Sequence, residues 1–128
     1  MLANFPAMAT LPTADLARAR AFYEGLGFPV AREGDELTGL VFEAGSTQFL
    51  VFPTPHAGTN RATAMAFLIS EDGFADEIAG LRGKGVKLMT FEAPTGTWVD
   101  GVLTDGATRA AWFEDPDGNV LSVATMRA

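Results

Sequence analysis

Cysteine is absent from this chain of 128 residues, and histidine occurs once, at His56. The lack of cysteine excludes disulfide bonds, thiolate nucleophiles and thiolate metal sites together. Any catalytic triad or metal cluster that needs an imidazole would have to use His56. Because His56 lies between Pro55 and Ala57, in a stretch rich in proline, glycine and threonine, we interpret it as an exposed loop residue.

Serine, basic residues and long apolar runs are also scarce. The three serines, Ser46, Ser70 and Ser122, lie outside any Gly-x-Ser-x-Gly motif, so serine-type nucleophilic catalysis is not expected. Nine basic residues against sixteen acidic give a net charge of −7, which argues against nucleic acid and an anionic membrane as partners. No apolar run approaches the ~18 residues of a membrane span, and no basic signal-peptide start precedes one. We therefore predict a cytoplasmic protein.

In the first half of the chain, apolar residues and turn residues follow an order that predicts a strand, a helix and three further strands. Residues 7–12 predict the first strand, and Thr13 is a candidate cap for the helix that follows. Gly25 or Gly27 is expected to end that helix. One apolar stripe marks its buried side, made of Leu16, Ala19, Phe22, Tyr23 and Leu26. The three later strands are predicted over residues 28–32, 37–43 and 47–52.

The second half of the chain follows the same order. A connecting loop over residues 53–62 leads to an apolar run from Ala64 and a helix over residues 70–84. A strand is predicted at residues 86–91. An irregular, glycine-interrupted stretch with Trp98 follows it, over residues 92–106.

The closing segment, residues 111–124, is the most strongly patterned part of the sequence. Apolar residues flank Asp115-Pro116-Asp117-Gly118-Asn119, where proline and glycine suit the positions of a tight turn. This pattern predicts two antiparallel strands joined by a hairpin.

The two halves together predict one βαβββ module used twice, within a single domain covering residues 1–128. Module one spans about residues 4–53 and module two about residues 63–126. Corresponding segments recur at shifts of 57 to 71 residues. The matched segments are Ala7-Met8-Ala9 with Ala64-Met65-Ala66, Gly27 with Gly85, Phe42-Glu43 with Phe113-Glu114, and Leu50 with Leu121.

Three segments resemble the vicinal-oxygen-chelate superfamily, which includes glyoxalase I, bleomycin-resistance proteins and extradiol dioxygenases. They are TADLARARAFYEGLGFPV (Thr13 to Val30), FADEIAGLRGKGVKL (Phe74 to Leu88) and WFEDPDGNVLSVA (Trp112 to Ala124). The resemblance implies an α+β fold in which the two modules form curved mixed sheets around a cavity. It also implies a homodimer.

Enzymatic members of that superfamily hold a divalent metal with four inward-pointing side chains, usually histidine, glutamine and glutamate. The resemblance places these positions on Met8, on Ala64 or Met65, on Val51 and on Ser122. None offers the carboxylate or imidazole that a hard divalent ion requires. A methionine thioether suits copper(I), but methionines among apolar neighbours more commonly fill a core. We therefore expect no metal and no other cofactor.

Alternation along the predicted strands places apolar and aromatic side chains in the cavity. If Ser122 points inward, Val120 and Ala124 share its face, whereas Leu121 and Val123 point toward the helices. Such a wall fits a flat or hydrophobic small molecule; the alternative is that the same side chains fill the cavity as core. The predicted ligand-binding residues are Met8, Phe49, Val51, Met65, Met89, Phe91, Trp98, Trp112 and Ser122.

Our leading hypothesis is a metal-independent protein that binds a hydrophobic or aromatic small molecule, as in drug sequestration by bleomycin-resistance proteins. The alternative is an enzyme: a lyase, isomerase or dioxygenase with displaced metal ligands or a metal-free acid/base step. Its candidate bases are Glu43 and Glu114, at equivalent repeat positions, and Asp100 or Asp105 near Trp98. A surface role beside each turn is the favoured interpretation of Glu43 and Glu114, and nothing singles out Asp100 or Asp105, so no catalytic residue is assigned.

Overall fold

The computed structural model describes residues 1–4, 6–35 and 38–125. The chain divides into two compact units: Met1–Asn60 with Pro116–Asn119, and Arg61–Asp115 with Val120–Ala128. Each unit holds one helix and one curved mixed sheet, so the predicted α+β class is confirmed. Across the described residues, neither helix is long and apolar enough to cross a membrane.

Unit one follows the predicted order of strand, helix and three strands, after a short 3₁₀ turn at Leu2–Asn4. Its elements are β1 (Ala9–Thr13), α1 (Leu16–Gly25), β2 (Val30–Glu33), β3 (Leu40–Ala44) and β4 (Thr47–Pro53). The sheet order is β1-β4-β3-β2, with β1 parallel to β4 and the other neighbours antiparallel.

Both ends of α1 satisfy backbone groups that a helix leaves unpaired. Oδ1 of Asp15 accepts the N–H of Arg18 at 3.1 Å, so the N-cap is Asp15 and the predicted cap, Thr13, is wrong. At the other end Gly27, at φ 97°, donates to the carbonyl of Glu24 at 2.9 Å. Phe28 donates to the carbonyl of Tyr23 at 3.1 Å, which completes a Schellman motif.

Aromatic rings fill the space between α1 and its sheet. Tyr23 on the helix is fully buried, and its ring centroid lies 5.4 Å from that of Phe42 and 5.3 Å from that of Phe49. Leu11 and Val51 pair in neighbouring strands and are also buried. Their side of the sheet is therefore the side that packs against α1.

Unit two repeats this plan with one additional strand. Its elements are β5 (Thr63–Ile69), α2 (Glu71–Gly83), β6 (Thr97–Val99), β7 (Val102–Asp105), β8 (Thr108–Glu114) and β9 (Val120–Thr125). The sheet order is β5-β9-β8-β7-β6, with β5 parallel to β9. α2 ends as α1 does: Gly85 takes φ 82° and Val86 donates to the carbonyl of Leu81 at 3.1 Å.

Two predictions for unit two are wrong. The strand expected at residues 86–91 is reduced to one bridge between Met89 and Trp112. The stretch expected to be irregular contains the β6–β7 hairpin, whose turn places Asp100 at φ 49° and Gly101 at φ 78°. Positive φ at both central positions gives the twist that a two-residue hairpin needs.

Two predicted boundaries cannot be compared with the structure. The expected start of a strand at Leu37 and the expected end of module two at Met126 lie outside the described residues.

Candidate functional site

Side chains on the sheet of unit two alternate between the side facing α2 and the opposite side, which we call the distal face. The guanidinium carbon of Arg109 lies 4.7 Å from the ring centroid of Phe74 on α2, so Arg109 points to the helix side. Because successive residues of a strand point to opposite sides, Trp112 points away from α2. The distal face comprises Trp98, Leu103, Asp105, Thr108, Ala110, Trp112, Glu114, Val120, Ser122 and Ala124, with Ala66 and Leu68 on the edge strand.

Three rings on the distal face form a cluster, which we call the aromatic cluster: Phe91, Trp98 and Trp112. The ring centroid of Phe91 lies 5.2 Å from that of Trp98 and 4.8 Å from that of Trp112, and the two indoles are 5.9 Å apart. All three pairs meet edge to face, a favourable arrangement for aromatic quadrupoles. Phe91 is 42% exposed, and both indoles are half-buried.

Backbone and side-chain hydrogen bonds position the aromatic cluster. The N–H of Met89 donates to the carbonyl of Trp112 at 2.8 Å, which brings Met89 beside β8. Nε1 of Trp98 donates to the carbonyl of Phe91 at 3.1 Å. The cluster is therefore assembled from three separate segments: the bridge at Met89, the β6–β7 hairpin and β8.

Five of the predicted ligand-binding residues lie together in unit two. The distal face and the segment bridged to it contain Met89, Phe91, Trp98, Trp112 and Ser122. Ser122 is buried directly opposite Trp112. The predicted alternation along β9 also holds, since Leu121 pairs with Phe113 on the side that faces α2.

The predicted orientation of Phe49 and Val51 is wrong. Both are buried on the side of unit one's sheet that packs against α1, where Phe49 contacts Tyr23. The error is a register shift of one residue: Phe42 pairs with Phe49, whereas its counterpart Phe113 pairs with Leu121. The hairpin of unit two is thus one residue longer, and a shift of one residue exchanges the two faces of a strand.

The two predicted methionines of the first strands also fall elsewhere. Met65 pairs with Leu121 and shares its helix-facing side, because the register of β5 shifts between Thr63 and Met65. Met8 lies just before β1 and is 43% exposed.

The corrected register identifies the side chains that stand where the resemblance expects metal ligands. In unit one Thr10 pairs with Leu50, and in unit two Ala66 pairs with Ser122. None of these four carries a carboxylate or an imidazole, so the residues do not fit a hard divalent ion. Elsewhere in the described ranges, no group of three or more His, Cys, Asp or Glu side chains is arranged to hold a metal.

The charges on the distal face are acidic. Asp105 and Glu114 are exposed on this side, at the two ends of the strand pairing. The strands of the sheet are described throughout, and the one basic residue in them, Arg109, points to α2. A ligand at the aromatic cluster would therefore meet a negative local potential.

The remaining candidate residues lie apart from one another. His56 is exposed in the connecting loop, and Glu43 is exposed near the end of β3. Asp100 lies in the β6–β7 turn, where its carbonyl accepts a hydrogen bond from the Arg82 guanidinium. None of these three lies on the distal face.

Sequence reasoning did not identify Leu103 and the hairpin that carries it. Leu103 pairs with Trp98 on one side and Ala110 on the other, so it lies between Trp98 and β8. The signal was available: Asp100-Gly101 between two apolar pairs is a strong sequence pattern for a hairpin.

The Glyoxalase/Bleomycin resistance protein/Dioxygenase superfamily matches residues 6–123. Comparison with curated proteins gave no match.

Solved structures that are similar over nearly the whole chain include the following three. A glyoxalase/bleomycin resistance protein/dioxygenase from Alicyclobacillus acidocaldarius has a TM-score of 0.72 at 15% identity, covering 98% of this chain and 93% of that one. A bleomycin resistance determinant encoded on transposon Tn5 has a TM-score of 0.70 at 21% identity, covering 97% and 99%. The fosfomycin resistance protein FosX from Mesorhizobium loti has a TM-score of 0.66 at 17% identity, covering 96% and 92%.

At these identities the solved structures show a shared fold, with one helix and one curved mixed sheet in each unit. The family match spans both modules and the hairpin that closes the second. The chain therefore belongs to the Glyoxalase/Bleomycin resistance protein/Dioxygenase superfamily.

Proposed function

We propose that the protein binds a flat hydrophobic or aromatic small molecule on the distal face of unit two, without a metal ion. The aromatic cluster carries this proposal. Large rings normally contribute to stability by burial, yet Phe91 remains 42% exposed and both indoles are half-buried. A partly exposed group of rings with few polar neighbours is typical of a ligand site.

The side chains around Trp112 support a flat ligand. On the distal face Trp112 is flanked by the small residues Ala110, Ser122 and Ala124. Small side chains beside a large indole leave a step in the surface against which a ring can lie. Ser122 adds a hydroxyl opposite Trp112, a polar group suited to orienting a ligand in an apolar site.

Sequestration without chemistry is the mode that we propose. Two structural neighbours are a bleomycin resistance determinant and a bleomycin-binding protein complexed with bleomycin. The acidic side chains Asp105 and Glu114 favour a ligand that carries positive charge beside its rings.

We extend the proposal to a homodimer. Light scattering on the purified protein tests it, and a monomer mass across micromolar concentrations would exclude a dimer.

The binding test uses calorimetry and tryptophan fluorescence with a panel of planar aromatic compounds, neutral and cationic, and with bleomycin. Both tryptophans of the chain belong to the aromatic cluster, so every change in indole emission reports on this site. We expect a saturable signal in the wild type and loss of binding of about tenfold or more in Trp112→Ala, because stacking on an indole contributes ~1–3 kcal/mol.

Two further measurements accompany this test: a control variant on the other side of the hairpin and an analysis for bound metal. Val99→Ala removes an exposed apolar side chain from the same hairpin strand as Trp98, on the opposite side, and should leave binding unchanged. Elemental analysis of protein purified without added metal tests metal independence. Binding of the whole panel equal in wild type and Trp112→Ala, or one tightly held divalent ion per chain, would contradict the proposal.

A further inference from the structure

The segment from Thr90 to Gly96, which we call the strap, crosses the distal face between two fixed points. Before it, Met89 is hydrogen bonded to Trp112. After it, β6 begins at Thr97. The strap lies outside the helices and strands, and all its residues are exposed except Ala93, which is half-buried. It therefore makes few of the contacts that would fix it permanently in place.

The ring of Phe91 contacts the sheet at both indoles. It meets both indoles edge to face, at interplanar angles of 81° with Trp98 and 80° with Trp112. The indoles are themselves inclined by 62°, so they form a corner in which a third ring can contact both. Phe91 already supplies that third ring.

Two side-chain hydrogen bonds hold the strap. Nε1 of Trp98 donates to the carbonyl of Phe91 at 3.1 Å, and the hydroxyl of Thr95 donates to Oδ2 of Asp105 at 2.7 Å. Both bonds are exposed, so water can replace either partner when the strap moves.

We infer that Phe91 occupies the position on Trp98 and Trp112 that a ligand ring takes, so that a ligand binds by displacing the strap. This inference rests on the proposed function. Displacement also frees the indole N–H of Trp98, which the carbonyl of Phe91 accepts in the free protein. The ligand class follows: a planar aromatic ring with a hydrogen-bond acceptor at its edge, able to replace both the phenyl ring and the carbonyl.

Substitution of Phe91 distinguishes an occupant from a wall of the site. If Phe91 competes with the ligand, Phe91→Ala binds the same planar probe more tightly, by about tenfold when two aromatic contacts no longer need to be broken. Phe91→Trp binds it more weakly. Val99→Ala, on the other side of the hairpin, leaves the affinity unchanged.

Quenching of the tryptophans by acrylamide provides a measurement without ligand. Phe91→Ala exposes the indoles and raises the quenching constant, and far-ultraviolet circular dichroism confirms that the variant is folded.

A matched pair of probes tests whether the ligand also replaces the carbonyl of Phe91. The two probes differ only in a hydrogen-bond acceptor at the edge of the ring. The acceptor gives a larger gain in affinity with Trp98 than with Trp98→Phe, which lacks the N–H.

Weaker or unchanged binding by Phe91→Ala, with Trp112→Ala still impaired, overturns the inference and leaves the proposed function intact. Unchanged acrylamide quenching in Phe91→Ala also overturns it. Binding by neither the wild type nor Phe91→Ala refutes the proposed function, and displacement with it.

Discussion

The hydroxyl of Thr13 donates a 2.6 Å hydrogen bond to Oδ2 of Asp117, a residue 104 positions further along the chain. Oδ1 of the same carboxylate accepts the N–H of Ala14 at 2.7 Å and Nη2 of Arg18 at 2.8 Å. Nδ2 of Asn119 donates to the carbonyl of Pro12 at 2.9 Å. The turn between β8 and β9 is thus bonded to the start of the first module.

Loss of the Asp117 carboxylate should destabilise the protein strongly. Its side chain is 1% exposed, and Asp117→Ala leaves the N–H of Ala14 without its acceptor and the Thr13 hydroxyl with only the carbonyl of Asp15, at a cost of ~2–4 kcal/mol. Arg18→Ala should cost under ~1 kcal/mol, because the Arg18 side chain is 48% exposed and water screens the ion pair. Urea unfolding measures both free energies. Similar small losses in the two variants would show that the carboxylate is not the centre of this network.

The register of β4 predicts that alanine substitutions at two adjacent residues lower the free energy of unfolding by different amounts. Phe49→Ala should lower the free energy of unfolding by ~3–5 kcal/mol, because it removes a buried ring that contacts Tyr23 and Phe42. Leu50→Ala should lower it by about 1–2 kcal/mol, because Leu50 is half-buried on the other side of the sheet. Thermal and urea unfolding check the order, and a larger loss in Leu50→Ala would mean that the strand is in the other register.

The two helices allow a matched test of N-capping. Asp15 accepts the N–H of Arg18, whereas Ser70, the N-cap of α2, makes no side-chain capping hydrogen bond. Asp15→Ala should therefore cost ~1 kcal/mol of unfolding free energy, and Ser70→Ala less than ~0.5 kcal/mol. Chemical denaturation resolves a difference of this size. Equal losses would indicate that Ser70 caps α2 in solution.

Two glycines with positive φ should respond differently to alanine. Gly106, at φ 60°, has open space where a Cβ would lie, so Gly106→Ala costs only the backbone conformation, ~1 kcal/mol. At Gly96, φ 92°, a Cβ would lie 2.9 Å from the carbonyl oxygen of Thr104. Gly96→Ala should therefore cost ~1–3 kcal/mol more than Gly106→Ala, measured by urea unfolding. Equal stability of the two variants would show that the end of the strap yields readily.

Local patterns in the sequence predicted most of the fold. The stripe around Tyr23 and the glycines at positions 27 and 85 located both helices and their ends, because each signal lies within a few residues of the feature. The cap at Thr13 was wrong because Asp15 lies directly before the helix and caps it. The bond from the Thr13 hydroxyl to Asp117 was not predictable, since no local pattern reveals a partner so distant in sequence.

The kinds of residue that form the candidate site were predictable from the sequence. The side of the sheet that each side chain faces was less predictable. Trp112 and Ser122 lie opposite each other in a regular strand pairing. Trp98 shares their face through the β6–β7 hairpin, in a stretch that was expected to be irregular. Phe49 and Val51 were assigned to the wrong face because the repeat was aligned with hairpins of equal length. One additional residue in a turn leaves the flanking strand sequences unchanged. It nevertheless exchanges the two faces to which the side chains of the following strand point.

The bond between Thr13 and Asp117 also bears on the order in which the protein can form during synthesis. β1, α1 and the strands that pair with them all precede residue 54, yet unit one also includes Pro116–Asn119. While the ribosome is still adding the second module, the first remains without the carboxylate that binds Thr13, Ala14 and Arg18. The duplicated architecture therefore does not give two modules that mature one after the other. The first module becomes complete only when translation has passed Asn119.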